Sequence, residues 1–323
     1  MFEPVMNFFL ALGPTVFSIL DLIGIYVILA LSLNMINGMA GMFSIGHAGF
    51  WAVGAYGAAT VMVHNPIAMP WFATYGLALV FAMALAALSG LILAVSCLRL
   101  SGDYLAIATL GFSIIVVTLL YNMDFIGGAT GISLPTYANK AFIWSMVAVV
   151  LVFYYRVQFS NLGRIIMALR EDEIAAQSIG INRVGYKTLV FVLGAAIAGL
   201  AGALYAGSAT YLNPSGFEFD QSIKVLTMVV LGGLGSITGV TVAAIGLTVM
   251  PEILRLLNLQ DFQMLVFAVI LLLMVLVRPQ GIMGKAEIWD LPWVRNFWHP
   301  EGGSRSGRGK VASGLPASKE AHS

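Results

Sequence analysis

LGRIIMALREDEIAAQSIGINRVGYK, residues Leu162–Lys187, is a charged interval in an otherwise apolar chain. Within it Arg164, Arg170, Arg183 and Lys187 surround the acidic run Glu171, Asp172 and Glu173, with Arg156 just upstream. So dense a set of charges must face water. Asp172 predicts the N-cap of a short helix whose acidic first turn suits the helix dipole, and Gly180 predicts its left-handed end. That helix would be about two turns long. Ala175, Ala176 and Ile179 then fall on one face, small enough for another protein to approach closely. Two readings fit the interval: a docking element, or a solvated loop whose charges only set topology.

The surrounding composition fixes the setting. Of 323 residues, 59% are hydrophobic and 10% charged, against about 25% charged in soluble domains. Apolar runs of about 20 residues recur without the alternation of barrel strands, so the spans are helices in a bilayer. The expected fold class is all-α: a polytopic transmembrane helical bundle. A net charge of +1 implies no nucleic-acid partner, and the single cysteine, Cys97, excludes an internal disulfide and a cysteine-based metal site. No metal-ligand or catalytic set is recognisable elsewhere. No basic n-region with a cleavage site stands at the amino end, so the first span is expected to remain in place.

Glycines interrupt the spans. After a first span over 14–36, which carries Asp21, the segment Asn37–Val63 holds Gly38, Gly41, Gly46 and Gly49. Each glycine costs a helix about 1 kcal/mol relative to alanine, so a broken helix is expected. Broken backbone at membrane depth must be buried by protein or border a watery cavity. Gly41, Ser44, Gly46 and His47 are therefore candidates for a translocation pathway, although His47 has no acidic or histidine neighbour in sequence and fits a helix-to-helix hydrogen bond better. Spans follow over 71–98, over 102–121 with Ser101 or Asp103 as cap, and over 141–157. The span over 188–212 carries small residues at three- and four-residue spacing, a smooth packing face. The apolar stretch 222–254 is too long for one crossing, and Gly232, Gly233 and Gly235 predict two helices meeting at its middle. These glycines and those at 41–49 occupy comparable places in two halves, as in pseudo-repeated transporters. The last span is 262–277.

Basic residues orient the chain: Arg99, the interval 156–187 and everything after Arg278 face the cytoplasm, while the amino end and the Gly-rich loop 122–139 face outward. An amino end outside and a carboxyl end inside require an odd number of crossings, about nine if 222–254 crosses twice. The membrane domain is expected over 1–284, an amphipathic interfacial segment over 285–298, and a disordered basic tail over 299–323. GSRSGRGK in that tail fails as a phosphate loop, because its first glycine is misplaced and Val311 stands where Ser or Thr would bind magnesium.

ALREDEIAAQSIGIN followed by YKTLVFVLGAAIAGLAGALYAG closely resembles the permeases of branched-chain amino-acid ABC importers, LivM type. Ser44, Gly46, His47 and Ala48, the block SGDYLAIATLGF, and RPQGIMG at 278–284 resemble the same family, and the likeness runs from about Leu29 to Gly284. The resemblance implies that 162–187 is the coupling loop, docking on a separate ATPase through Arg170, Glu171, Asp172, Glu173, Ala175, Ala176 and Gly180. Ile174 occupies the position where the general coupling pattern has Glu, and Glu173 comes one residue early, which leaves open which acid meets the ATPase. It also implies ABC ATPase subunits, a second permease of the LivH type and a periplasmic substrate-binding protein as partners, a bacterial inner membrane as the location, and no cofactor in this chain, ATP being used by the partner. The implied substrates are leucine, isoleucine and valine. An ion-coupled carrier relying on Asp21 or His47, and a passive channel for a small neutral solute such as urea, are the rival readings. Neither gives Ala175, Ala176 and Gly180 a role.

Overall fold

A computed structural model describes residues 3–64, 70–97, 102–256, 259–277 and 281–284. The expected interfacial segment 285–298 and tail 299–323 lie outside the described residues, as do Arg99 and Ser101. The order of elements is α1 (Glu3–Asn34), a π turn (Met35–Met39), α2 (His47–His64), α3 (Trp71–Cys97), α4 (Asp103–Tyr121), β1 (Ile132–Ser133), α5 (Lys140–Gln158), α6 (Asn161–Glu171), α7 (Glu173–Ser178), α8 (Arg183–Ser208), β2 (Tyr211–Leu212), α9 (Phe219–Gly232), α10 (Ile237–Leu256) and α11 (Gln263–Val277). The fold is all-helical apart from the two short strands. Among the described residues, six stretches are long and apolar enough to cross a membrane: Ile19–Met39, Trp71–Cys97, Asp103–Tyr121, Lys140–Gln158, Arg183–Ser208 and Ile237–Arg255.

Small residues let three helices approach almost backbone to backbone. A Cβ on Gly54 of α2 would lie 2.4 Å from the Cα of Gly199 in α8, and one on Gly202 would lie 2.4 Å from the carbonyl oxygen of Trp51. On α3, a Cβ at Gly90 would meet the Cβ of Ala195 at 2.5 Å. The smooth face expected on α8 thus packs inside this chain, against α2 and α3. In lipid, where apolar burial gives helices little reason to associate, such close contact is what holds them. Beside this seam Trp51 wedges between Tyr205 and Phe217, with ring centroids 5.1 and 4.6 Å away. α1 runs through the interior, with Ile25, Ile28 and Leu29 fully buried. Val80, Ile92 and Val95 of α3 and Ile107 and Ile115 of α4 point outward.

Two expectations about boundaries are corrected. Leu162–Lys187 is not a loop with one short helix, because α6 and the first turns of α8 fill its two ends. Ser160 accepts from the Gly163 amide and Asn182 from the Gly185 amide, and these caps start α6 just ahead of the charged interval and α8 within it. Asp103 does not cap α4. Gly102, at φ 61°, takes the cap position with no side-chain bond, and Asp103 sits in the first turn. The Gly-rich loop 122–139 also contributes β1, which pairs antiparallel with β2 through Ile132–Leu212 and Ser133–Tyr211.

Gly54→Leu should lower the stability of the detergent-purified protein by about 1–3 kcal/mol through overpacking of the α2–α8 seam. Gly76→Ala is the matched control, since a Cβ there meets nothing within 4 Å. Thermal unfolding checks both, and equal melting of Gly54→Leu and wild type would refute the seam.

Candidate functional site

Both helix breaks lie where the glycines predict them, and the fold brings them together. The π turn ends α1 at Met39, residues 40–46 are non-helical, and α9 and α10 meet at residues 233–236. Asn34, fully buried at the end of α1, stitches one break to the other. Its Nδ2 donates to the Ser236 carbonyl at 3.1 Å and to the Tyr154 hydroxyl at 3.0 Å, while its Oδ1 accepts from the Gly235 amide at 2.8 Å. A Cβ on Gly38 would lie 2.1 Å from Asn34 Oδ1 and 2.4 Å from the Gly235 nitrogen, so only glycine fits there.

Arg170 ties this junction to the charged interval. From the last turn of α6 its Nη1 donates to the Gly38 carbonyl. Its side chain also lies along Gly41, where a Cβ would meet Cγ at 2.9 Å, and its Nη1 would be 3.1 Å from a Cβ on Gly235. Gly41 and Gly235 have φ of 65° and 95°, a region that glycine enters without steric cost. The returning segment 281–284 buttresses the second break: the Ile282 amide donates to the Leu231 carbonyl at 2.8 Å. A Cβ on Gly232 would lie 2.4 Å from the Cα of Val240. Gly233, at φ 108°, turns the chain.

The first break is filled by protein. Asn37 brackets Ser44, donating to its carbonyl at 3.1 Å and accepting from its amide at 3.0 Å. Thr109 accepts from the amides of Ile45 and Gly46, and a Cβ on Gly46 would overlap the Thr109 carbonyl. His47 is fully buried, with its Nε2 2.7 Å from Ser32 Oγ, the helix-to-helix bond expected of a structural histidine. Among the described residues no group of three metal-ligating side chains occurs.

In the charged interval, Asp172 caps α7 through the amides of Ile174 and Ala175 at 2.9 and 3.0 Å. Glu173 pairs with Arg183 at 2.7 Å and with Lys187, so α7 is clamped to the start of α8. Gly180, at φ 87° with nothing within 4 Å of a Cβ, closes the turn on the exposed side. The shared face expected of Ala175, Ala176 and Ile179 is split. Ala176 is 4% exposed and packs inward, because a helix of six residues clamped to α8 through Glu173 must present one side to its own chain. Outward stand Ala175, Ile174 at 82% exposure and Ile179 at 77%. With Asp172 capping and Glu173 clamped, Glu171 is the acid of the run outside those two assignments, and it is exposed.

Asn34, Asn37, Thr109 and Lys224 were not singled out by the sequence. Lone polar residues in apolar runs signal interior contacts, yet their partners lie as far as 202 residues away in the chain. For Lys224 the signal was available: a lysine inside an apolar stretch.

The family model described as branched-chain amino acid transport system / permease component matches residues 15–275. The chain belongs to this family. The permease is 37% identical over 299 residues to the high-affinity branched-chain amino acid transport system permease protein LivM of Escherichia coli strain K12, an alignment covering 80% of this chain and 68% of that protein. It is 26% identical over 334 residues to a probable LivM of Methanocaldococcus jannaschii, covering 86% and 96% of the two chains. To LivH of the same Escherichia coli strain it is 25% identical over 287 residues, covering 81% and 92%. No solved structure matches the permease.

Arg170→Ala removes a charge-assisted bond of about 1.5–3 kcal/mol from the junction. Amide hydrogen exchange over 35–46 and 233–236 should then quicken about tenfold or more, with α3 unchanged. Unchanged exchange at both breaks would show that Arg170 does not hold them.

Proposed function

We propose that this permease translocates branched-chain amino acids, leucine, isoleucine and valine, as a membrane subunit of an ABC importer. Its partners are two ATPase subunits, a second permease of the LivH type and a periplasmic substrate-binding protein. The chain needs no cofactor of its own, since ATP is used by the partner. It sits in the bacterial inner membrane with its amino end outside and its carboxyl end in the cytoplasm. α1 to α5 and α8 to α11 are its successive crossings, about nine, an odd number as the charge distribution requires. The two glycine breaks mark pseudo-repeated halves, and Gly41, Ser44, Gly46, His47, Gly232, Gly233 and Gly235 are the flexure beside the pathway.

One observation supports the docking reading above others: Ile174 and Ile179 stand out from a short helix that Asp172 caps and Glu173 clamps to the start of α8. A solvated loop gains nothing from two exposed isoleucines on a braced support, whereas an apolar pair that inserts into a groove does. The ATPase then pushes on α7, and α6 carries the displacement through Arg170 to both helix breaks.

Ile174→Asp combined with Ile179→Asp should abolish co-purification of the ATPase and cut ATP-dependent leucine uptake in vesicles at least about tenfold, as for loss of buried anchor residues. The variant should still reach the membrane. Full uptake by the double variant, or leucine uptake by wild type without any ATPase, would sink the docking assignment. For sidedness, cysteines placed singly at Thr130 and Ser178 in a Cys97→Ser background should react with an impermeant maleimide from outside and from the cytoplasm, respectively. Reaction from the reverse sides would invert the proposed orientation.

A further inference from the structure

Lys224 lies one turn into α9, and the contacts around it are those of a cation without a counter-ion. Its Nζ stands 4.4 Å from the centroid of the Tyr26 ring and 5.8 Å from that of Phe267. Among the described residues Lys224 joins no ion pair. Ring faces attract an ammonium but do not neutralise it. A half-buried charge in an apolar helix carries a desolvation cost that an anion would offset. Ionisable side chains kept in membrane segments despite that cost mark ligand or ion paths.

Next to Lys224 is a cavity of about 270 Å³, whose wall includes Asp220, Gln221, Asp261, Gln263 and Phe267. That is just below the range of pockets for drug-sized ligands, about 300–1,000 Å³, and suits a molecule the size of an amino acid. The Tyr26 hydroxyl donates to Gln221 Oε1 at 2.8 Å and holds that wall against α1. Lys224 is half-buried, whereas Asp220 and Asp261 are exposed at the rim and, like Lys224, join no ion pair among the described residues. The charges are therefore ordered along the cavity, positive within and negative at the mouth. A simple anion would be repelled by the rim and a simple cation by Lys224. A zwitterion satisfies both.

We propose that this cavity is a binding station for a free amino acid, with its carboxylate on Lys224 and its ammonium between Asp220 and Asp261. The assignment rests on the amino-acid transport reading and places a substrate contact on α9, away from the glycine breaks. The α-carboxylate and α-amino group are common to all three substrates, so the station recognises the backbone of the amino acid and leaves its side chain to the binding protein.

The test uses the assembled complex of both permeases and the ATPases, purified without binding protein. Its melting is followed with leucine, with leucinol, which lacks the carboxylate, and with 4-methylpentanoate, which lacks the amine, each at about 50 mM because ligand stabilisation grows with concentration over Kd. Leucine should raise the melting temperature more than either analogue does. Lys224→Gln should weaken the leucine response at least about tenfold in concentration, as expected for a lost charge-assisted contact. Lys224→Arg should retain it. If Lys224→Gln fails to assemble, Asp261→Asn at the exposed rim decides, and should weaken the response to leucine but not to 4-methylpentanoate. Absence of a leucine-specific response in wild type, or an undiminished response in the deciding variant, would overturn the station. ATP-dependent leucine uptake by the wild-type complex with its binding protein is measured in parallel. Uptake without a leucine-specific response removes the station alone, whereas no uptake of any branched-chain amino acid removes the transport reading on which it rests.

Discussion

Asn34 carries the constraint from which the rest of the architecture follows. Two interrupted helices leave backbone amides and carbonyls without helical partners, and in a membrane protein those groups must be satisfied within the protein or in a watery cavity. One buried carboxamide satisfies groups in the second break with both of its ends, accepting from Gly235 and donating to Ser236. Asn34 stands in turn at the end of the helix that leads into the first break. Because the amide is so close, Gly38 can carry no side chain. The Gly38 carbonyl in turn accepts from Arg170. The polar interval is thus tied to the first break by a guanidinium with enough donors to bridge several backbone groups.

Much of this was legible in the sequence, and the limits have physical causes. Glycine reports a backbone requirement locally, so both breaks, the capping by Asp172 and the left-handed Gly180 could be read from single residues and their neighbours. The small-residue face of α8 was visible for the same reason, although the helix it meets was not. What stayed hidden depends on partners distant in the chain. Nothing near Asn34 indicates Ser236, and nothing near Thr109 indicates Gly46. The inward turn of Ala176 was hidden differently. Periodicity groups residues on a face but cannot tell which face a short exposed helix gives to its own chain, and the clamp of Glu173 on Arg183 and Lys187 settles that.

That clamp also changes how an acidic residue in the interval is understood. A carboxylate ahead of two alanines suggests a contact for a partner, yet Glu173 holds α7 to the start of α8. A short helix on its own would fray, since few of its amides have helical partners. Capped by Asp172 and held by Glu173, it becomes a braced arm. On the docking proposal, two isoleucines suffice, because what they would displace is a rigid unit.

The closeness of the packing decides what kind of motion the proposed push would produce. Where a single added Cβ would overlap a neighbouring backbone atom, as at Gly54 and Gly202, helices cannot slide past one another by small continuous shifts. Motion must instead concentrate where the backbone is already interrupted. The residues 40–46 and 233–236 are those places, and they are tied to one another by Asn34 and to α6 by Arg170. A displacement of α6 would therefore reach both breaks together, with tightly packed segments on either side moving as bodies about them. Two discrete arrangements follow more naturally from that construction than a graded one, because interlocked surfaces repack between fits rather than deforming through them.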